Sequence, residues 1–134
     1  MINLNSFLVF SQEPKKLVDF YRQVLGREPK WAEGEYSGFE VGACALVIGP
    51  HSKVRGRSKN PERIMFNFET DDVKGEFKRM KGLGVKVIAE PYHMGDDQGH
   101  EIATLADPDG NFFQLVSPME GTGGSRNAPR EDAV

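Results

Sequence analysis

The stretch LVDFYRQVLGREP, residues 17–29, decides the fold. Leu17, Phe20, Tyr21, Val24 and Leu25 recur at i, i+3, i+4, i+7 and i+8, which is a single apolar stripe along a helix. Pro14 suits the first turn of that helix, where its missing N–H costs little, and Gly26 suits its stop. Upstream, residues 3–10 mix β-branched and aromatic side chains and read as a strand. Downstream come short strand-like pieces at 29–32, 36–41 and 43–48, punctuated by Gly34, Gly38, Gly42 and Gly49.

The same order then returns. Residues 64–69 read as a strand. Val73, Phe77 and Met80 mark an amphipathic helix with Asp71 or Asp72 as N-cap and Gly84 as its stop. Segments 85–90, 100–106 and 111–117 supply three further strands, so each half reads strand, helix, strand, strand, strand. SFLVFSQEP from Ser6 can be laid on MFNFETDDV from Met65, and the same shift places Pro14, Val18, Tyr21 and Leu25 on Val73, Phe77, Met80 and Gly84. At the end of each half, ALVIGP, ending at Pro50, lies over FQLVSP, ending at Pro118. The shared order of these matches points to an internal duplication.

Length and composition bound the rest. A chain of 134 residues fits one domain with a core that needs no staples. Its one cysteine, Cys44, excludes an internal disulfide. Flanked by Ala43 and Ala45 and with no basic neighbour in sequence, Cys44 reads as a buried thiol of a reducing compartment rather than a reactive one. No apolar run approaches the ~20 residues of a membrane span, and MINLNSFLVF lacks the basic flank of a secretory signal. The expected location is therefore the cytoplasm. A net charge of -3 gives no footprint for nucleic acid. The Lys- and Arg-rich run PHSKVRGRSKNPER from Pro50 reads as a solvated linker, with an anion-binding loop as the alternative. Beyond Met119 the chain has almost no large apolar residue, so residues 120–134 are expected to form a flexible tail.

LVDFYRQVLGREP together with LADPDGNFFQLVSP, residues 105–118, resembles the vicinal oxygen chelate superfamily of glyoxalases, extradiol dioxygenases and bleomycin- and fosfomycin-resistance proteins. Within the second stretch DPDGN is a turn with a physical rationale: Pro108 fixes φ, while Asp109, Gly110 and Asn111 tolerate tight or left-handed backbone. The resemblance covers residues 1–119 and implies an α+β fold. Module one would span 1–49, a linker 50–62, and module two 63–119, with a mixed sheet curled into a U and helices outside. It further implies a homodimer and a ligand cavity inside the U.

Strand alternation then sorts the side chains. Phe7, Val9, Phe66 and Phe68 are expected to face the helices. Ser6, Leu8, Phe10, Met65, Asn67, Glu69, Phe112, Gln114 and Val116 are expected to face the cavity. Metal-dependent members of the superfamily hold an ion with side chains on the first and last strands of each module. Aligned residue by residue, those positions are Ser6, Leu46, Met65 and Gln114, a set too poor in hard oxygen or imidazole donors for a divalent ion. No metal and no other cofactor is expected there. A separate site from His93, His100 and Asp96 or Asp97 is the open alternative, against a loop with two surface or pocket-rim histidines.

The ligand-binding candidates are therefore Ser6, Leu8, Phe10, Trp31, Met65, Asn67, Phe112 and Gln114, a wall of apolar area with scattered hydrogen-bonding groups. Trp31 reads either as half-buried packing or as a stacking platform. Glu69 reads as a general base if a closed cavity desolvates it, with His100 as a partner acid, or else as a strand-end carboxylate. The functional expectation is a metal-free protein that binds a small organic molecule, aromatic or cationic, without chemistry, as bleomycin-resistance proteins do. The alternative is a lyase or isomerase of the same superfamily, either metal-independent with Glu69 as base or using a non-standard divalent site. Whether the chain is an enzyme is left undecided by these residues.

Overall fold

A computed structural model describes residues 1–93 and 100–118. Two compact units emerge. The first comprises Met1–Lys59 with Asp107–Asn111, and the second Asn60–Ala106 with the chain from Phe112 onward. Much of the expected linker thus belongs with the first unit, through Lys59.

In the first unit the elements are β1 (Ser6–Phe10), α1 (Pro14–Leu25), β2 (Trp31–Glu33), β3 (Tyr36–Val41) and β4 (Cys44–Gly49), in a sheet of order β1-β4-β3-β2. The βαβ crossover makes β1 parallel to β4, while β2–β3 and β3–β4 are antiparallel. α1 starts at Pro14 and ends where Gly26 adopts φ 66°, its N–H returning to Arg22 O, so the sequence punctuation is the physical cap. Its buried residues Leu17, Val18, Tyr21 and Val24 lie on the predicted stripe. With Phe39, Leu46 and Ile48 they make the core of this unit.

The second unit repeats the plan: β5 (Phe66–Glu69), α2 (Val73–Gly82), β6 (Lys86–His93), β7 (Glu101–Ala106) and β8 (Phe112–Val116), in order β5-β8-β7-β6 with β5 parallel to β8. Asp72 caps α2 by accepting from Gly75 N at 2.9 Å. The rings of Phe66, Phe68 and Phe113 gather with centroids 5.6–6.4 Å apart, on the buried side with Leu105 and Leu115. β6 runs on through Pro91 to His93 with register shifts along it. Proline is tolerated there because β6 is an edge strand.

Register corrects one sequence assignment. In a parallel pair, Cα partners point to the same face. Phe7 pairs with Leu46 and Phe66 with Phe113, all on the core side. The internal superposition therefore equates Leu46 with Phe113 and Val47 with Gln114, one residue away from the alignment of ALVIGP on FQLVSP. The prolines at the ends of those two strings set the wrong frame, and a one-residue slip turns every side chain to the opposite face. Leu46 is fully buried in the core, and Val47 takes its place opposite.

Candidate functional site

The face of each sheet turned away from its core helix carries the candidate residues. In the first unit, register arranges this face in rows: Ser6, Ala45 and Glu40; then Leu8, Val47, Gly38 and Trp31; then Phe10, Gly49, Tyr36 and Glu33. Ser6 and Phe10 are half-buried, while Leu8, Trp31 and Tyr36 are exposed. The Ser6 hydroxyl donates to Asn5 Oδ1 at 2.9 Å.

Two glycines shape this face. A methyl group built on Gly38 would overlap Nε1 and Cε2 of Trp31 and stand 2.7 Å from Cζ2. One built on Gly49 would overlap Cδ2 and Cε2 of Tyr36 and stand 2.9 Å from Cγ. Neither glycine has positive φ, so they are required for space and not for backbone conformation. The Trp31 ring lies over Gly38 and the Tyr36 ring over Gly49, where the Tyr36 hydroxyl donates to Pro50 O at 2.9 Å. Beside them the Phe10 ring meets His51 edge-on, with centroids 5.1 Å apart. His51 Nδ1 accepts from Lys53 N at 3.0 Å, which orients the imidazole. Tyr36 and His51 were not among the residues singled out from sequence. The pairing of Trp31 with Gly38 is the signal that exposes the arrangement, and it needs strand register to be read.

In the second unit the corresponding row is Asn67, Gln114, Thr104 and Ala89, followed by Glu69, Val116, Ile102 and Tyr92. Gln114 Nε2 donates to the buried Thr104 Oγ1 at 2.9 Å. Asn67 and Glu69 are exposed, and so is Met65, which precedes β5. Phe112 is half-buried. Glu69 therefore lacks the burial on which a desolvated base would depend. His100 is half-buried just before β7, and His93 is exposed at the end of β6. Asp96 and Asp97 lie outside the described residues.

The metal-binding positions of the superfamily can be tested against this donor set. The first unit offers the hydroxyl of Ser6 and the aliphatic Val47, and the second offers the thioether of Met65 and the amide of Gln114, already engaged by Thr104. No carboxylate or imidazole is present at these positions, so they do not fit a divalent ion, which requires several hard donors with compensating charge. Among the described residues, no group of three or more His, Cys, Asp or Glu side chains forms a cluster elsewhere.

The strongest polar network is structural. Asp107 is buried, and its carboxylate accepts from the Tyr21 hydroxyl (2.7 Å), from the backbone N–H of Asp109 and of Asn111 (2.9 Å each) and from Asn111 Nδ2. Burial pushes the Asp107 carboxyl up from its ordinary 3.8 even though every hydrogen bond it accepts opposes that shift. Burial first, and the facing carboxylate second, hold the Tyr21 hydroxyl protonated well above its ordinary range. The linker closes over the same turn: Ser58 N donates to Asp109 O at 2.8 Å, and Arg57 Nη1 to Pro108 O at 3.0 Å.

The chain belongs to the Glyoxalase/Bleomycin resistance protein/Dioxygenase superfamily, whose family model matches residues 3–115. It is 32% identical over 91 residues to the uncharacterized protein YetH of Bacillus subtilis (strain 168), covering 68% of this chain and 69% of YetH. Among solved structures it is similar to a glyoxalase/bleomycin resistance protein/dioxygenase family enzyme from Burkholderia phytofirmans PsJN, with a TM-score of 0.70 and 20% identity over 87% of this chain and 98% of that one. It is also similar to lactoylglutathione lyase from Agrobacterium tumefaciens, with a TM-score of 0.67 and 20% identity over 86% of this chain and 92% of that one. At these identities the solved structures establish the α+β fold alone. No helix among the described residues is long and apolar enough to cross a membrane.

Proposed function

We propose that this member of the superfamily is a small-molecule-binding protein that holds an organic ligand against the open faces of its sheets, without the divalent metal used by metal-dependent relatives. The observation that carries the reading is the donor set. Ser6, Val47, Met65 and Gln114 hold one hydroxyl, one aliphatic chain, one thioether and one amide where a cation would need carboxylate or imidazole. The same faces supply what an organic ligand needs instead: apolar area from Leu8, Phe10, Trp31 and Phe112, with hydrogen-bonding groups at Ser6, Asn67 and Gln114. Pairing into a homodimer is part of this reading.

The test is elemental analysis of the purified chain, before and after incubation with nickel, zinc, manganese and iron(II), alongside a thermal-shift screen of small organic compounds. The expected result is substoichiometric metal, a melting temperature unmoved by ions or chelator, and organic compounds that raise it in proportion to the logarithm of their concentration. A stoichiometric divalent ion that is lost when Gln114→Ala is introduced would overturn the reading in favour of a lyase or isomerase.

A further inference from the structure

The basic run after β4 is held more firmly than a solvated linker needs to be. Val54 N donates to His51 O at 3.0 Å and Lys53 N to His51 Nδ1 at 3.0 Å, which closes a turn. Gly56, with φ 66°, donates its N–H to Gln12 Oε1 at 2.9 Å, just ahead of α1. Ser58 N reaches Asp109 O at 2.8 Å. Val54 and Ser58 are half-buried, while Lys53, Arg55, Arg57 and Lys59 are exposed. The backbone is thus pinned at several points, and its cations are what it presents to solvent. None of these four has a carboxylate partner among the described residues, although Lys16, Arg22, Lys30, Lys74, Arg79 and Lys81 each have one. Each arginine spends one N–H on a carbonyl: Arg55 Nη1 on Val54 O at 3.1 Å, and Arg57 Nη1 on Pro108 O at 3.0 Å. Those bonds orient the two guanidinium forks and leave most of their donors unspent.

We infer that residues 53–59 bind a compact oligophosphate, a di- or triphosphate group, at a site independent of the ligand proposed for the sheet faces. Guanidinium forks match phosphate oxygens two at a time, and the flanking lysines add point charge. The distribution of charge selects a compact anion over a long one. Residues 53–59 hold four basic residues and no acidic one, whereas the rest of the chain holds 17 - 4 = 13 basic against 20 acidic residues, a net of -7. A polymer running off the loop meets that acidic remainder; a short phosphate chain neutralises the loop and stops there. Six peptide links separate Lys53 from Lys59, so the four cationic stems leave the backbone within about 20 Å of one another even without the turns. Glu13, which follows Gln12, is already paired with Lys16 at 3.7 Å.

The test is titration of the full chain with inorganic tripolyphosphate, followed by calorimetry and by phosphorus NMR of the probe. One site per chain is expected, with affinity that falls as salt rises. Lys53→Gln combined with Arg55→Gln, chosen because neither side chain bonds the turn at Pro108, should weaken binding about tenfold or more. Arg57→Lys keeps the charge and loses the fork, and should weaken it about threefold or more. Lys78→Gln combined with Lys86→Gln removes the same charge from exposed positions elsewhere and should change affinity less than about twofold. The inference is refuted if millimolar tripolyphosphate produces neither heat nor a phosphorus shift. Equal losses in the two double variants refute it as well, because they assign binding to net charge. Tighter binding by single-stranded DNA, or by vesicles of phosphatidylserine, also overturns it and makes the loop a surface for a macromolecule or a membrane. A loss confined to the loop variants, while organic compounds still raise the melting temperature of every variant, establishes the loop as a separate oligophosphate site.

Discussion

Replacing Gly38 by alanine probes the aromatic face by sign as well as size. A β-carbon at Gly38 overlaps the Trp31 indole, so the ring must lift from the sheet. Trp31 is 44% exposed. A buried tryptophan removes about 150–250 Å² from water, so the part covered here is roughly 120 Å². Lifting the ring uncovers roughly half of that, and at about 25 cal/mol per Å² the loss is about 1.5 kcal/mol. Alanine is intrinsically better than glycine inside a strand by about 0.5–1 kcal/mol, so Gly38→Ala should destabilise the chain by roughly 0.5–1 kcal/mol net. In a Trp31→Ala background there is no ring to displace, and the same substitution should stabilise by about 0.5–1 kcal/mol. The coupling in this double-mutant cycle is thus about 1.5 kcal/mol. Urea unfolding of the four proteins, followed by far-UV circular dichroism because Trp31→Ala is silent in fluorescence, measures it. If Gly38→Ala destabilises equally in both backgrounds, the glycine serves some purpose other than seating the indole and the argument fails.

Other perturbations test the buried network and the helix start. Tyr21→Phe removes the donor 2.7 Å from Asp107 and should cost about 1–3 kcal/mol in urea unfolding; a cost below about 0.5 kcal/mol would mean the hydroxyl is dispensable to the turn. Asp107 has a folded-state pKa above its ordinary 3.8 because of burial. Its titration therefore contributes stability that is fully present below 3.8 and is lost as pH rises through the folded value. The stability difference between the parent and Asp107→Asn should accordingly fall across that window, and a difference that rises with pH would contradict the burial argument. Asp72→Ala deletes the cap on Gly75 N and should lower stability by about 1 kcal/mol, read as a lower urea midpoint with an unchanged slope.

The sequence was most readable where one residue type has one physical use. Pro14 and Gly26 bracket α1 because a missing N–H and a left-handed φ are each tolerated at one end only. At α2 the devices differ: Asp72 caps the start with its side chain, and Gly84, with φ 90°, follows the right-handed C-cap residue Leu83. Facing was harder wherever both sides of a strand are apolar. β4 reads CALVIG, and no alternation in it says whether Leu46 or Val47 points outward; the partner Phe7 supplies that answer and lies 39 positions away. Tyr36 escaped notice because its role depends on Gly49, thirteen residues further along. Trp31 was legible as a ring of two possible uses, and the choice between them rests on the empty α-carbon of Gly38 beneath it.

The two stretches that mark the family meet at one hydrogen bond. Tyr21 comes from the first, LVDFYRQVLGREP, and Asp107 from the second, LADPDGNFFQLVSP, 86 residues apart. The carboxylate also organises its own turn through Asp109 N and Asn111 N, and Gly110 takes φ 83° within it. All of these groups are occupied with one another, and Tyr21 and Asp107 are buried. These bonds hold the turn together, leaving the buried Oδ2 of Asp109 without a hydrogen-bond partner among the described residues. The resemblance therefore reports how the chain is held together. Under the proposed function, ligand contacts fall instead on the other face of the sheet, at positions such as Leu8, Phe10 and Trp31, which lie outside both stretches. The motif that fixes the fold and the face proposed to bind are thus built from separate residues, so recognising the first does not identify the second.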